Sequence, residues 1–232
     1  MITAALDTSY GASLAISRDG RLVYQGTLPG GQREADRDLV PWVQAGLAKA
    51  EVEPGAVRGW VVGLGPGSFS GVRTGIALAR GVCAVTGAVC RGVPSSAALA
   101  LALTEQLAAD ESIGVLHDGR CGQVILSRYQ WTGGVLQAVG EASAETPADL
   151  VGPGLVCQRY VTIHGAMVLP LLPEAIRLVT TAVAAIEARC LLAVCGDEWP
   201  VAGALATASM EPVYVRPAVF VAPRPPVGLG RD

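Results

Sequence analysis

The sequence predicts an α/β protein in which one pattern of strand, turn, strand and helix is written twice. Three observations carry this. Short apolar runs with strand character alternate with segments of helical period. Two strand–turn–strand units share a spacing, Asp7-x-x-x-Gly11 and Asp118-x-x-x-Gly122. Finally, 51% of the 232 residues are hydrophobic and only 16% are charged, enough for a sizeable core under a largely uncharged surface. The paired spacing admits two readings at this level: a chance pair of hairpins, or an internal duplication whose two Asp turns face one cleft.

Taken in order, "ITAALD" from Ile2 reads as a buried strand, followed by "ASLAIS" and "RLVYQGT" joined by Asp19-Gly20, a strong two-residue hairpin turn. Asp36 to Ala50 reads as a helix with Leu39, Val43 and Leu47 on one face and Lys49 near its end, where a cation suits the macrodipole. Pro41 makes that helix start near Asp38 or kink. "GWVVGL" is a further buried strand, and Pro94 to Ala109 is helix-rich. The pattern then restarts: "SIGVLHD" ends in Asp118, "GQVILSRYQW" follows, and Gly133-Gly134 turns into "VLQAV". Glu174 to Cys195 reads as one long helix, with Ile176, Val179, Val183, Ile186, Cys190 and Val194 at helical spacing. "EPVYVRP" reads as a short final strand and "APRPPVGLGRD" as a Pro-rich tail. The expected division is residues 1–109, 110–220 and a tail, 221–232.

Composition removes several function classes. The longest apolar runs, such as Ala97 to Leu103, fall far short of the ~20 residues that span a bilayer. No basic leader precedes Asp7, so a cytoplasmic protein without a membrane partner is expected. Six cysteines show no CxxC or paired metal spacing and read as buried free thiols. A net charge of −3, with Lys49 the single lysine, offers no basic stripe for gripping RNA unaided.

The segment "GLGPGSFSGVRTGIALARG", Gly63 to Gly81, holds the densest signal. A Walker A loop needs Lys after its last glycine, and Gly71 is followed by Val72-Arg73. Glycines 63, 65, 67 and 71 also miss the dinucleotide fingerprint. Gly65, Pro66, Gly67 and Ser68 read instead as a structural loop, with Ser68 or Ser70 capping the helix that follows. In that helix Gly71 and Gly75 share a face with Val72, Ile76 and Ala79. Such a face suits close helix approach, either to a partner subunit or within the chain's own core. Glycine inside a helix costs up to ~1 kcal/mol, so something should require it.

"ALDTS", the Gly63–Gly81 segment, "GVPSSAALA", "LHDGRCGQV" and "EPVYVR" together resemble, in order and spacing, the TsaB (YeaZ) family of tRNA threonylcarbamoyladenosine biosynthesis. The resemblance runs from Ile2 to about Tyr129 and resumes at Glu211, leaving 132–210 unmatched. It implies a duplicated actin-like ATPase (ASKHA, ribonuclease H-like) fold, in line with the repeat. It also implies a non-catalytic subunit that binds a TsaD homologue, the enzyme that modifies the adenosine next to the anticodon. A TsaE-type ATPase would join them, and tRNA would be met only through the complex. A homodimer would serve in isolation, and any ATP or ADP would sit at the complex interface rather than on a cofactor site of this chain. On this reading Gly71, Val72, Gly75, Ile76 and Ala79 form the partner interface, and Gly75→Leu should abolish docking while sparing the fold.

TsaD-like enzymes hold a metal with a His-x-Glu-Gly-His motif; this chain has Ser95-Ser96-Ala97-Ala98-Leu99 there, so no metal site is expected. A metalloprotease reading of the family finds no chemistry here either. Its two histidines, His117 and His164, are far apart in sequence. Asp7, Thr8 and Ser9 hold the first phosphate-turn position and Asp118 the second, read as degenerate turns with Asp7 capping its own turn rather than holding Mg²⁺. Ala35 replaces a usual His, and Gln123 a frequent Glu. Two other classes stay open: an autonomous ASKHA-type ATPase or sugar kinase, and a diverged paralogue acting as a different scaffold.

Overall fold

The computed structural model describes residues 1–28, 32–103, 108, 110–196, 199 and 210–215, without the side chains of 32–36. The first sheet is built from β1 (Ile2–Asp7), β2 (Ala12–Arg18), β3 (Arg21–Leu28), β4 (Val57–Gly63) and β5 (Val89–Val93), in the order β3-β2-β1-β4-β5. The second contains β6 (Ser112–Asp118), β7 (Val124–Thr132), β8 (Val135–Ala138), β10 (Arg159–Thr162) and β11 (Thr180–Ala182), in the order β11-β10-β6-β7-β8, with β9 (Ser143–Glu145) paired to β7. Read from its other edge, the second order repeats the first. The senses repeat too. β1–β2 and β6–β7 are antiparallel, whereas β1–β4 and β6–β10 are parallel. This is the duplicated actin-like ATPase fold that the resemblance implies.

Alternation within the strands sorts the core. Ala4 and Leu6 of β1 face the layer of α1 (Gln32–Lys49) and α2 (Phe69–Thr86). Ala5 faces the other side, with α3 (Ser95–Leu101) and α6 (Ala188–Cys195). Small residues at 5, 15, 97, 98 and 100 let that second layer pack tightly, and the same cluster takes in Ile113, Val115 and Tyr129 from the second sheet. Burying chains like these contributes about 25 cal/mol per Å² of apolar surface removed from water. A third cluster, with Leu116, Leu126, Tyr160 and Ile176, covers the far face of the second sheet beside α4 (Gly165–Val168) and α5 (Glu174–Arg177).

Turn chemistry follows the residues. Asp19 and Gly20 both take positive φ, as do Gly133 and Gly134, and both pairs close tight hairpins. Leu39, Val43 and Leu47 are buried, and Pro41 lies inside α1.

Several expectations are corrected. Glu174–Cys195 is not one helix: α5 stops at Arg177, and 180–182 form β11 parallel to β10. Val179, Thr180, Thr181 and Val183 are β-branched, and the sheet supplies hydrogen bonds such as Val183 N–H to Thr162 O at 2.9 Å. Strands β5 and β9–β11 carry too little alternation to be marked in the sequence. Residues 211–215 form no strand, although Val213 N–H donates to Leu64 O at 2.8 Å. The division at 109/110 does not hold for α6, which packs on β1, β2 and α3 of the first half. Cys121 is exposed, not buried. The tail 221–232 and most of 197–209 lie outside the described residues, as do Thr104–Leu107 and Ala109 of the expected helix-rich segment.

Candidate functional site

Both Asp turns are built alike. Asp7 pairs with Ser13 across its hairpin and Asp118 with Val124 across the other, and Gly11 and Gly122 both take positive φ. In each, the aspartate's Oδ1 accepts the backbone N–H two residues on, at 2.8 Å: Ser9 in the first turn, Arg120 in the second. Their surroundings differ.

The first turn is closed. Asp7 is 1% exposed. Its Oδ1 also accepts from Ser9 Oγ at 2.6 Å, and its Oδ2 from Ser95 Oγ at 2.5 Å. Ser95 Oγ accepts in turn from Gly65 N–H at 3.0 Å, while Ser95 N–H donates to Gly65 O at 2.7 Å. Thr8 Oγ1 donates to Gly71 O at 2.7 Å, and Ser68 N–H to Ser9 O at 2.9 Å. Burial raises the Asp7 pKa above the ordinary carboxylate range, partly offset by the Ser9 and Ser95 hydrogen bonds.

This turn explains the glycines. A Cβ on Gly63 would lie 1.9 Å from Asp7 Oδ2, one on Gly67 2.5 Å from Ser9 Cβ, and one on Gly75 2.2 Å from Thr8 Oγ1. Gly71, Val72, Gly75, Ile76 and Ala79 are buried inside the chain. The expectation that these five form a partner interface is therefore corrected: they clasp the Asp7-Thr8-Ser9 turn and the sheet beneath it. Ser68, not Ser70, caps α2, accepting from Gly71 N–H at 3.2 Å. Gly65 takes positive φ and its bond to Pro66 is cis.

The second turn meets aromatic neighbours instead. Asp118 N–H donates to His164 Nδ1 at 2.9 Å, which leaves the proton of the neutral ring on Nε2. The Tyr10 ring stands edge-on to His164 at 4.1 Å and to His117 at 6.0 Å between centroids, so two histidines distant in sequence meet against one residue of the first hairpin. His117 is 2% exposed, and neither ring nitrogen has a partner among the described residues. Burial, with His164 adding to it, lowers the His117 pKa to about 3. Burial also lowers that of His164, against the pull of Asp118, and pushes Tyr10 up to about 12.

A phosphate-binding turn presents backbone N–H groups to the anion, and here Ser9 N–H is turned back onto Asp7. Ser95 and Ser96 are engaged with Asp7 and with Tyr129 Oη, the latter at 2.8 Å. Tyr10 and His164 were not marked in the sequence as part of any site. His164 occupies the place of Gly63, because β10 pairs with β6 as β4 pairs with β1, but that register belongs to the folded sheets and left no signal in the sequence.

At the start of α2 the motif leaves a surface cluster. The Arg73 guanidinium lies 3.7 Å over the Phe69 ring and its Nε donates to Tyr214 Oη at 2.9 Å. This joins "GPGSFSGVR" to "EPVYVR", segments distant in sequence.

A family model described as TsaD, tRNA N6-adenosine threonylcarbamoyltransferase, matches residues 23–189. A curated relative, the tRNA threonylcarbamoyladenosine biosynthesis protein TsaB of Bacillus subtilis (strain 168), is 32% identical over 145 residues, 60% of this chain. The match spans 59% of that relative's length. YeaZ from Pseudomonas aeruginosa shares the fold, with a TM-score of 0.68 at 24% identity over 84% of this chain and 90% of that one. A second Pseudomonas aeruginosa structure, of a protein described as similar to peptidase YEAZ, has the same TM-score of 0.68 and 24% identity, covering 84% and 89% of the two chains.

Proposed function

Because the chain belongs to the TsaD-type family, among its TsaB (YeaZ) members, we propose that it is a non-catalytic subunit of the machinery that makes threonylcarbamoyladenosine on tRNA. Its role is to bind and support a TsaD-type transferase, with a TsaE-type ATPase joining the pair. The supporting observation is the sealed first turn: both Asp7 oxygens are committed to Ser9 and Ser95 inside the protein. An enzyme of this fold would turn that carboxylate toward a metal–nucleotide complex. Any ATP or ADP is therefore assigned to the complex interface, and tRNA contact to the assembled complex.

With the glycine face inside, docking falls to the opposite face of α2. There Ala77, Gly81 and Ala84 are exposed, a Cβ on Gly81 would meet nothing within 4 Å, and Val85 is 88% exposed. Among the described residues no helix is long and apolar enough to cross a membrane.

The test is reconstitution with a TsaD homologue, a TsaE-type ATPase, ATP, threonine-derived donor and unmodified tRNA. Modification that requires this chain, with no ATP turnover by the chain alone, is the expected result. ATP turnover by the pure protein that Asp7→Ala abolishes would overturn it in favour of an autonomous kinase or ATPase.

A further inference from the structure

At the end of the first sheet away from its Asp turn, one cross-strand row carries only small side chains. Ser17 of β2, Thr3 of β1 and Gly59 of β4 stand in register. Alternation turns the row toward the layer of α3 and α6, the side that Ala5 and Ala15 face. A Cβ on Gly59 would lie 2.4 Å from the six-membered ring of Trp199, so the indole rests on that glycine. Beside it opens a cavity of about 810 Å³, with Thr3 and Ser17 as its floor and Trp199, Leu101 of α3 and Leu192 of α6 among its walls. That volume lies within the roughly 300–1,000 Å³ usual for small-molecule sites. Thr3 is 9% exposed and Ser17 8%, and neither hydroxyl has a hydrogen-bond partner among the described residues. Hydroxyls buried this far cost free energy until something bonds them.

We propose that this cavity binds a small neutral aromatic carboxamide, with its ring against Trp199 and its amide edge on the Thr3 and Ser17 hydroxyls. Residues directly opposed in an antiparallel pair hold their Cβ atoms about 4.5–5.5 Å apart. Across that span a carboxamide accepts from one hydroxyl through its oxygen and donates to the other through its N–H. Each hydroxyl both donates and accepts, so the amide pairs in either orientation. The indole and the two leucines give the ring an apolar, stacking wall.

Other ligand classes fit less well. A carboxylate can accept from both hydroxyls, but it brings a charge out of water. The two cations that line the cavity are already matched, the Met1 ammonium by Asp19 and Arg189 by Glu187. A plain hydrocarbon ring fills the apolar wall and leaves both hydroxyls unbonded. The site lies on the α3–α6 side of the first sheet, and α2 covers the other side. Ligand binding here goes beyond the subunit role and needs no partner chain.

The experiment titrates the isotopically labelled full chain with benzamide, benzoate and toluene. It follows the NMR signals of the Trp199 indole N–H, assigned with Trp199→Phe, and of the Thr3 and Ser17 amides. Saturable shifts at all three with benzamide are expected, with toluene binding several-fold more weakly and benzoate giving none. A chain carrying Thr3→Val and Ser17→Ala should bind benzamide about tenfold more weakly than wild type, and toluene no more weakly. Three results would each overturn the proposal: no saturable benzamide shift at these residues, benzoate binding as tightly as benzamide, or undiminished benzamide affinity in the double variant. Should that variant fail to fold, nuclear Overhauser contacts between the benzamide ring and Trp199 and Leu192 in the wild-type chain decide by their presence or absence.

Discussion

The two Asp turns have the same backbone and opposite surroundings. In the first half, β4 ends in Gly63, and the missing side chain lets the Asp7 carboxyl press into the space beside it, where Ser95 meets it. In the second half the equivalent position is His164, whose ring fills the space and reaches the backbone of Asp118 instead. One turn becomes a buried, fully bonded knot and the other a half-buried aromatic junction. Duplication therefore repeats hydrogen-bonded backbone more faithfully than it repeats chemistry. The residue opposite the turn decides whether the carboxylate is sealed.

The largest expected effect comes from filling the glycine sockets. Gly63→Ala places a methyl 1.9 Å from Asp7 Oδ2 and must displace a buried, hydrogen-bonded carboxylate. A cost of about 3 kcal/mol or more is expected, a fall of about 10 °C in Tm. Gly75→Leu meets Thr8 Oγ1 at 2.2 Å and should likewise melt early, which replaces the expectation that it spares the fold. Thermal unfolding of the isolated protein measures both. Wild-type Tm in either variant would show that the knot is not what the glycines serve.

A middle-sized effect separates the turns by pH. Asp7 is raised in the folded state, so its stabilising contribution is full below its unfolded value near 3.8 and is lost as pH rises through the raised folded value. His117 is lowered from 6.5 to about 3, so its contribution is present above 6.5 and lost as pH falls toward 3. On acidification from neutral pH, Asp7→Asn should become progressively less stable relative to wild type. His117→Phe should become progressively more stable relative to wild type, by about 3 kcal/mol near pH 4.5. Parallel Tm-against-pH curves for the two variants would contradict the contrast.

The smallest effect tests the second turn's looser hold. His164→Ala removes one acceptor from the Asp118 N–H at a half-buried site, where water can replace it, and should cost about 1 kcal/mol in urea unfolding. A loss as large as that of Gly63→Ala would mean that the two turns are equally sealed.

Much of this frame was legible in local signals. Asp19-Gly20 and Gly133-Gly134 name their turns through a need for positive φ. Leu39, Val43 and Leu47 name a helix face through their period. Where the signal was ambiguous, reading failed. Ile176, Val179, Val183 and Ile186 fit a helix by spacing, yet Thr180–Ala182 between them form an edge strand that only the sheet could call for. The Gly71–Gly75 face was legible as a place of close approach, but not as to what approaches.

By itself, then, the sequence determined the repeated hairpins, the Asp turns, a serine cap (Ser68 or Ser70) at the start of α2 and a glycine-lined surface, because each depends on residues within a few positions of one another. Only the tertiary structure decided that the surface clasps Thr8, that Ser95 seals Asp7, and that Tyr10 brings His117 and His164 together. Those contacts join residues tens of positions apart, and a close approach leaves the same small side chains in the sequence whatever it is that comes near.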